Sequence, residues 1–273
     1  GVFIPSTPTR TSADGVNTWT VEAYDKTIIL KEDGLDTPLY LAEGAKYIDE
    51  VLSILARVGI PDVMIANYAD TEIAADREFE IGKTLLEVVN TLLAEINFNP
   101  IFCDADGNFV IGTYEEPTVS SADITYKADH LSIIGRDTST ETDYYKVPNV
   151  FIAVCSNPDL NQDYRSVYIN DNPISPFSTI QRGRRIISEI YRPDQIATQA
   201  DLDAYVRRMA FDRTLAASET VSFPTALMPI HGRAEDVELQ HPDASGVYRE
   251  VGWTIPLEAS GEMEHIVKRM VIL

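Results

Sequence analysis

The chain has 273 residues, 44% of them hydrophobic and 24% charged, which is ordinary globular usage with apolar material for about two domains. Its 43 acidic side chains against 22 basic ones give a formal net charge of −21, which repels nucleic acid and anionic membranes and argues against direct DNA binding. No apolar run approaches the roughly 18 residues that span a bilayer, and the N-terminus has no basic-plus-apolar signal pattern.

The chain opens on Gly1 rather than Met, as a processed, tagged or truncated product does. The first predicted element is "WTVEAYDKTIIL", Trp19 to Leu30, which reads as a half-buried strand running into "KEDG". Only 18 residues precede it, and "GVFIPSTPTRTSADGVN" is too short and turn-rich to give it a full sheet. Within 38–59, Ile48, Val51, Leu52, Leu55 and Val58 fall at helical spacing, and Gly59 and Pro61 stop that helix. A second amphipathic helix follows in "IGKTLLEVVNTLLAEINFN", through Leu85, Val88, Val89, Leu92, Leu93 and Ile96. Next, "NPIFCDADGNFVIGTY" carries Asp104, Asp106 and Asn108. A calcium loop wants its glycine after the third ligand, whereas Gly107 precedes Asn108, and no Glu closes the loop, so "DADG" is predicted to be a hairpin turn. Cys103 and Cys155 lie in apolar strand-like runs and read as buried free thiols.

From Tyr144 the texture changes to short strands separated by Pro, Asn, Asp and Gly turns. Pro148 and Asn149 inside the first of these runs predict a bulge or an edge position. One helix interrupts the strands, with Thr198 as its cap and Leu202, Val206, Met209 and Ala210 on its buried face. The predicted class is α+β: a small α/β domain with two amphipathic helices, then an antiparallel β-barrel or sandwich carrying one helix.

Chemistry is sparse. His130, His231, His241 and His265 form no HExxH, and the chain has no GxSxG, P-loop or GxGxxG. The densest cluster is "HGRAEDVELQHPD", with His231, Glu235, Asp236, Glu238, His241 and Asp243. A loop, a strand "DVELQ" and a turn at "HPDASG" account for those residues without a ligand, so no metal, cofactor or catalytic residue is expected. Among so many acids, a pair of carboxylates suited to glycoside hydrolysis decides nothing. One contrast stands out in an acidic chain. Arg182, Arg184, Arg185 and Arg192 crowd one segment, and Arg207, Arg208 and Arg213 another. Solvated strand and helix faces would explain them. The functional reading makes Arg182, Arg184, Arg185, Arg207 and Arg208 a rim that meets an acidic face on a neighbouring subunit, since the planar guanidinium binds carboxylates bidentately.

The sequence resembles the baseplate-hub proteins of tailed bacteriophages, prophages and contractile injection systems. "WTVEAYDKTIIL" is similar to their aYDkt strand, and it is followed in order by the two helices and an F-D-x-x-G-N-F hairpin. "YYKVPNVFIAV", "NPISPFSTIQRGRRI" and "SGVYREVGWTIPLEASGEM" are similar to later family segments, so the likeness runs from about residue 2 to 270. It implies tube-like β domains with an α/β insertion, three chains closing a ring of quasi-sixfold symmetry, and no cofactor. Such a ring joins the hexameric tail tube to a threefold spike or fibre in the virion baseplate, after assembly in the host cytoplasm. The implied partners are the tail-tube, tape-measure and central spike or fibre proteins, with a homotrimer as the full-length form and no specific nucleic acid or membrane. The implied domains are 1–30, closing an upstream tube-like domain, then an α/β domain at 31–138 and a tube-like domain at 139–273. In the family most of that first domain lies upstream, so the opening strand is expected to lack its partners and 1–273 to be mostly monomeric. The alternatives are a hydrolase of cell-wall polysaccharide and a sugar-binding module of the tail tip. Exposed aromatic platforms would mark the latter, and strand patterns at Trp19 and Trp253 predict core positions instead.

Overall fold

A computed structural model describes residues 1–13, 15–60, 63–114, 122–129, 134–135, 138–141, 147–156, 163–193, 195–196, 198–228, 231–232, 235–256 and 261–273. Residues 1–115, 153–166 and 191–205 make one compact unit, and 116–152, 167–190 and 206–273 the other. The class is α+β.

The chain starts with a hairpin. Strand β1 (Ile4–Ala13) pairs antiparallel with β2 (Val16–Tyr24), from Ile4 opposite Tyr24 to Ala13 opposite Val16. Gly15 at the turn has φ 79°, a left-handed geometry that favours glycine. The register shifts between Pro5 and Pro8, where prolines have no N–H to give the ladder. Three expectations are corrected here. The segment from Trp19 has a partner in β1, and it is a strand only as far as Tyr24. Asp25 Oδ1 accepts from the Thr27 N–H at 2.9 Å, an Asx turn that ends the strand and opens the short helix α1 (Thr27–Glu32). Half-burial fails as well: every residue of β2 is exposed, Trp19 at 60%.

Strand β3 (Leu39–Leu41) leads to helix α2 (Tyr47–Arg57), which buries Tyr47, Ile48, Val51, Ile54 and Leu55. Its chain reverses at Gly59, φ 78°; Pro61 lies outside the described residues. Strands β4 (Val63–Ile65) and β5 (Arg77–Phe79) precede helix α3 (Leu85–Glu95). Thr84 caps α3 through a capping box, accepting from the Glu87 N–H while the Glu87 carboxylate accepts from the Thr84 N–H. The buried stripe Leu85, Val88, Val89, Leu92 and Leu93 meets that of α2 in one core with Phe79, Phe98, Phe109 and Ile111. Strands β6 (Phe102–Cys103) and β7 (Phe109–Ile111) form the predicted hairpin, β7 also pairing in parallel with β4. At its tip Asp104 Oδ1 accepts from the N–H groups of Asp106 and Asn108, and Oδ2 from the Asn108 amide. Those bonds engage both carboxylate oxygens in the turn. Cys103 is half-buried and Cys155 buried, and neither is in a disulfide.

Strands β8 (Ile124–Lys127) and β9 (Ser139–Glu141) come next, then β10 (Val150–Cys155) and β11 (Tyr164–Ile169). The short helix α4 (Thr179–Arg182) is capped by Ser178, and β12 (Ile187–Tyr191) completes a sheet of order β11-β10-β12. β10 is central there, against the edge position read from Pro148. Pro148 and Asn149 stand just before the strand, and the Asn149 side chain bonds Arg184 O at 3.0 Å and the Ile186 N–H at 2.7 Å. Helix α5 (Gln199–Ala216) follows, and the Asp201 N–H donates to Thr198 Oγ1 at 3.2 Å, the predicted cap.

The last strands, β13 (Thr220–Ala226), β14 (Asp236–Gln240), β15 (Ser245–Thr254) and β16 (Glu262–Arg269), build a mixed six-stranded sheet of order β8-β14-β15-β16-β13-β9. Among the described residues its parallel pair is β14 with β8. The sheet is open, with β8 and β9 at its edges, so the barrel half of the barrel-or-sandwich expectation is not met among the described residues. One face holds Tyr126, Val221, Phe223, Val237, Leu239, Tyr248 and Val267 as a core.

Candidate functional site

Alternation along the six-stranded sheet carries polar groups into that core. In β16 the inward positions are Met263, His265 and Val267; in β15 they include Tyr248 and Glu250; in β13 they are Val221, Phe223 and Thr225. A register shift between Glu250 and Gly252 marks a bulge that sets where the Glu250 carboxylate lies. Between β13 and β14, His231 turns its imidazole in from the loop, with its side chain fully enclosed.

Glu250 binds both imidazoles. Its Oε2 lies 2.8 Å from His231 Nδ1 and its Oε1 2.6 Å from His265 Nδ1, with the His265 and Glu250 side chains 0% and 1% exposed. The opposite ring nitrogens each meet a hydroxyl: Tyr126 Oη is 2.5 Å from His231 Nε2, and Thr225 Oγ1 is 2.8 Å from His265 Nε2. Phe223 stacks on His265 with centroids 4.9 Å apart, and His231 lies edge-on to His265 at the same separation. A second carboxylate approaches from the loop: Glu235 Oε2 is 3.0 Å from His231 Nδ1, while its Oε1 accepts from the Gly232 N–H at 2.9 Å. Burial above all, then the charges of Glu250 and Glu235, pushes the Tyr126 phenol well above its ordinary range, so it keeps its proton. Two imidazoles around shared carboxylates in a dry site can hold a proton or a cation. Among the described residues no hydroxyl or thiol stands as an activated nucleophile beside them, Tyr126 and Thr225 being the hydroxyls in reach.

Of the residues singled out in "HGRAEDVELQHPD", only His231 and Glu235 enter this cluster. Asp236 is taken by Arg249, at 2.6 and 3.0 Å, and His241 shapes the next turn by accepting from the Asp243 N–H. Glu238 accepts from Gln240 at 2.9 Å, and His130 lies outside the described residues. Glu250 and His265 were missed by the reading of motifs, because both sit in strands remote from His231 in sequence. A signal did exist, since each falls on the inward phase of its strand, beside Tyr248 in β15 and between Met263 and Val267 in β16.

The five arginines fall into two groups. Arg184, Arg185 and Arg207 are exposed. Arg182 is half-buried, donating to Val147 O at 3.0 Å with its guanidinium 5.3 Å from the Phe177 ring centroid, and burial followed by the neighbouring Arg184 lowers its pKa. Arg208 is buried on α5 with Asp212 3.7 Å away. The hairpin of β1 and β2 offers another surface, presenting Val16, Trp19, Val21 and Tyr24 to solvent. Trp253, also expected in the core, is 41% exposed and tied at its rim by Nε1–H to Gly232 O at 3.1 Å.

Compared with known proteins, the chain matches no family model and no curated sequence. Its fold does match. A tail protein from Neisseria meningitidis MC58 superposes over 98% of this chain and 79% of its own, at TM-score 0.73 and 13% identity. The fold is that of phage tail proteins. The 43 kDa tail protein of prophage MuSo2 from Shewanella oneidensis matches 97% of this chain and 78% of its own, at TM-score 0.68 and 12% identity. An Escherichia coli component of the type VI secretion system, described as structurally similar to the T4 bacteriophage tail proteins gp27 and gp5, matches 99% of this chain and 60% of its own, at TM-score 0.52 and 11% identity. The tail-protein fold thus extends over essentially the whole chain, hairpin and six-stranded sheet included.

Proposed function

We propose that the chain is a non-enzymatic structural part of a phage or prophage tail, the baseplate hub that joins the tail tube to a central spike or fibre. The observation that carries this reading is the near-complete superposition on two tail proteins at TM-scores of 0.73 and 0.68. Exposed strand pairs suit such a role, because an unpaired edge with apolar side chains recruits another strand. The hairpin of β1 and β2 has those features in Trp19, Val21 and Tyr24. Three copies in a ring would set Arg184, Arg185 and Arg207 against acidic groups on the next copy, where the planar guanidinium pairs bidentately with carboxylates. An acidic lining would let DNA pass without adhering.

Electron microscopy of tails released from the lysogen that encodes the chain, labelled with an antibody against it, tests this directly. Label at the tail end distal to the capsid is expected. Label along the whole tube, or on no particle, would overturn the hub assignment.

A further inference from the structure

We propose that His231, His265, Glu250 and Glu235 form a site for a divalent transition-metal ion of the zinc class, against the sequence-based expectation of none. The ligand atoms of His231, Glu250 and His265 all lie within 4.8 Å of one another, and Glu235 Oε2 lies 3.0 Å from His231 Nδ1. Donor atoms about 2.0–2.1 Å from a tetrahedral zinc stand about 3.3 Å apart. The contacts of 2.6, 2.8 and 3.0 Å would therefore open by about 0.3–0.7 Å, and the widest would close. Two imidazole nitrogens favour this class over calcium or magnesium, which take oxygen.

The hydrogen-bond inventory points the same way. Thr225 Oγ1 lies 2.9 Å from Ala226 O as well as 2.8 Å from His265 Nε2, and it has one proton for the two contacts. With that proton on Ala226 O, His265 donates Nε2–H to the hydroxyl oxygen. The Nδ1 lone pair of the neutral ring then faces a Glu250 oxygen 2.6 Å away, an arrangement that needs a positive charge between them. At His231, Nε2 meets Tyr126 Oη and Nδ1 faces both Glu250 and Glu235. Among the described residues Glu235 Oε2 is buried and makes no hydrogen bond, although its partner oxygen is held by Gly232 N–H. Hydroxyls on the far nitrogens and a backbone amide on the second carboxylate are the outer partners that orient metal ligands. Two neutral imidazoles, two carboxylates and a divalent ion sum to zero charge, which suits an enclosed place. Four protein donors close the coordination sphere, so the ion is structural. It would staple His231 and Glu235 to β15 and β16.

The test uses the whole chain, stripped with a chelator and titrated with zinc and with cobalt. Elemental analysis should find one equivalent per chain, cobalt should develop the visible absorption of a tetrahedral site, and Tm should rise with free zinc, as it must for a ligand of the native state. Magnesium at the same concentration should do neither. His241→Gln should retain the metal. Glu250→Gln should abolish binding. Because a buried substitution can itself unfold the sheet, Glu235→Gln is the second variant: it should keep the metal-free Tm and, by removing a direct ligand, weaken zinc by more than the roughly ten- to hundredfold that losing an outer partner costs. A folded chain that binds no stoichiometric zinc or cobalt would overturn the site, as would a Glu235→Gln variant that binds as tightly as the parent.

Discussion

Arg77 and Glu95 meet at 2.6 Å with side chains 7% and 4% exposed, one on β5 and the other at the end of α3. Tyr47 shares the site: burial first, then the Glu95 charge, raises its phenol far above the usual value. A buried pair costs most when one member is removed, because the other charge stays in the dry interior. Arg77→Ala should therefore destabilise by about 3–5 kcal/mol, and the double variant with Glu95→Leu should recover part of that loss. Urea denaturation of the three proteins measures it. Asp104 works at the surface. The Asn108 amide first, then the Asn108, Asp106 and Gly107 backbone N–H groups, hold its carboxyl below the usual range. A depressed folded value contributes stability that is complete above the unfolded pKa, about 3.9, and is lost as pH falls through the folded value. Melting from pH 5 down to 2 should show this loss in the parent, and Asp104→Asn should flatten that part of the acid limb.

Helices α2 and α3 are the elements whose sequence pattern and structure agree most closely. Val51 and Leu55 of α2 and Val88, Val89 and Leu92 of α3 are all 0% exposed, as the 3.6-residue spacing requires of one face. Leu55→Ala and Leu92→Ala should each cost about 2–5 kcal/mol, since the removed methyl groups leave a cavity in a close-packed core. Either variant melting with the parent would refute the core assignment. The strands were less legible. Alternation found β14 and β15 but not β16, and it suggested burial for β2, where large and small side chains alternate on a hairpin exposed on both faces. Alternation reports two unlike faces and does not say that either is covered.

At the scale of the whole molecule, the exposed hairpin and the tail-protein fold belong together. Trp19→Asp combined with Val21→Asp should leave Tm nearly unchanged, because exposed positions usually contribute within about ±0.5 kcal/mol. The same variant should fail to enter tails when it replaces the wild-type chain in a producing lysogen, scored by immunoblot of purified particles. Incubation of the chain with peptidoglycan or chitin oligosaccharides should release no sugar above buffer. Release would restore the hydrolase reading.

The sequence by itself determined the acidic balance, the α+β class, the two amphipathic helices, the turn at Asp104 and the cap at Thr198. Each is written in neighbouring residues: a helix stripe, a hairpin turn and an N-cap are set by side chains within a few positions of one another. Only the tertiary structure decided that β1 covers one edge of β2, that 153–166 and 191–205 lie with 1–115, and that the last sheet stays open. It alone brought His231 to Glu250 and His265. Strand pairing links residues by register across long loops, so which polar groups meet in the core depends on strand order and on a single bulge in β15. Spacing along the chain carries neither.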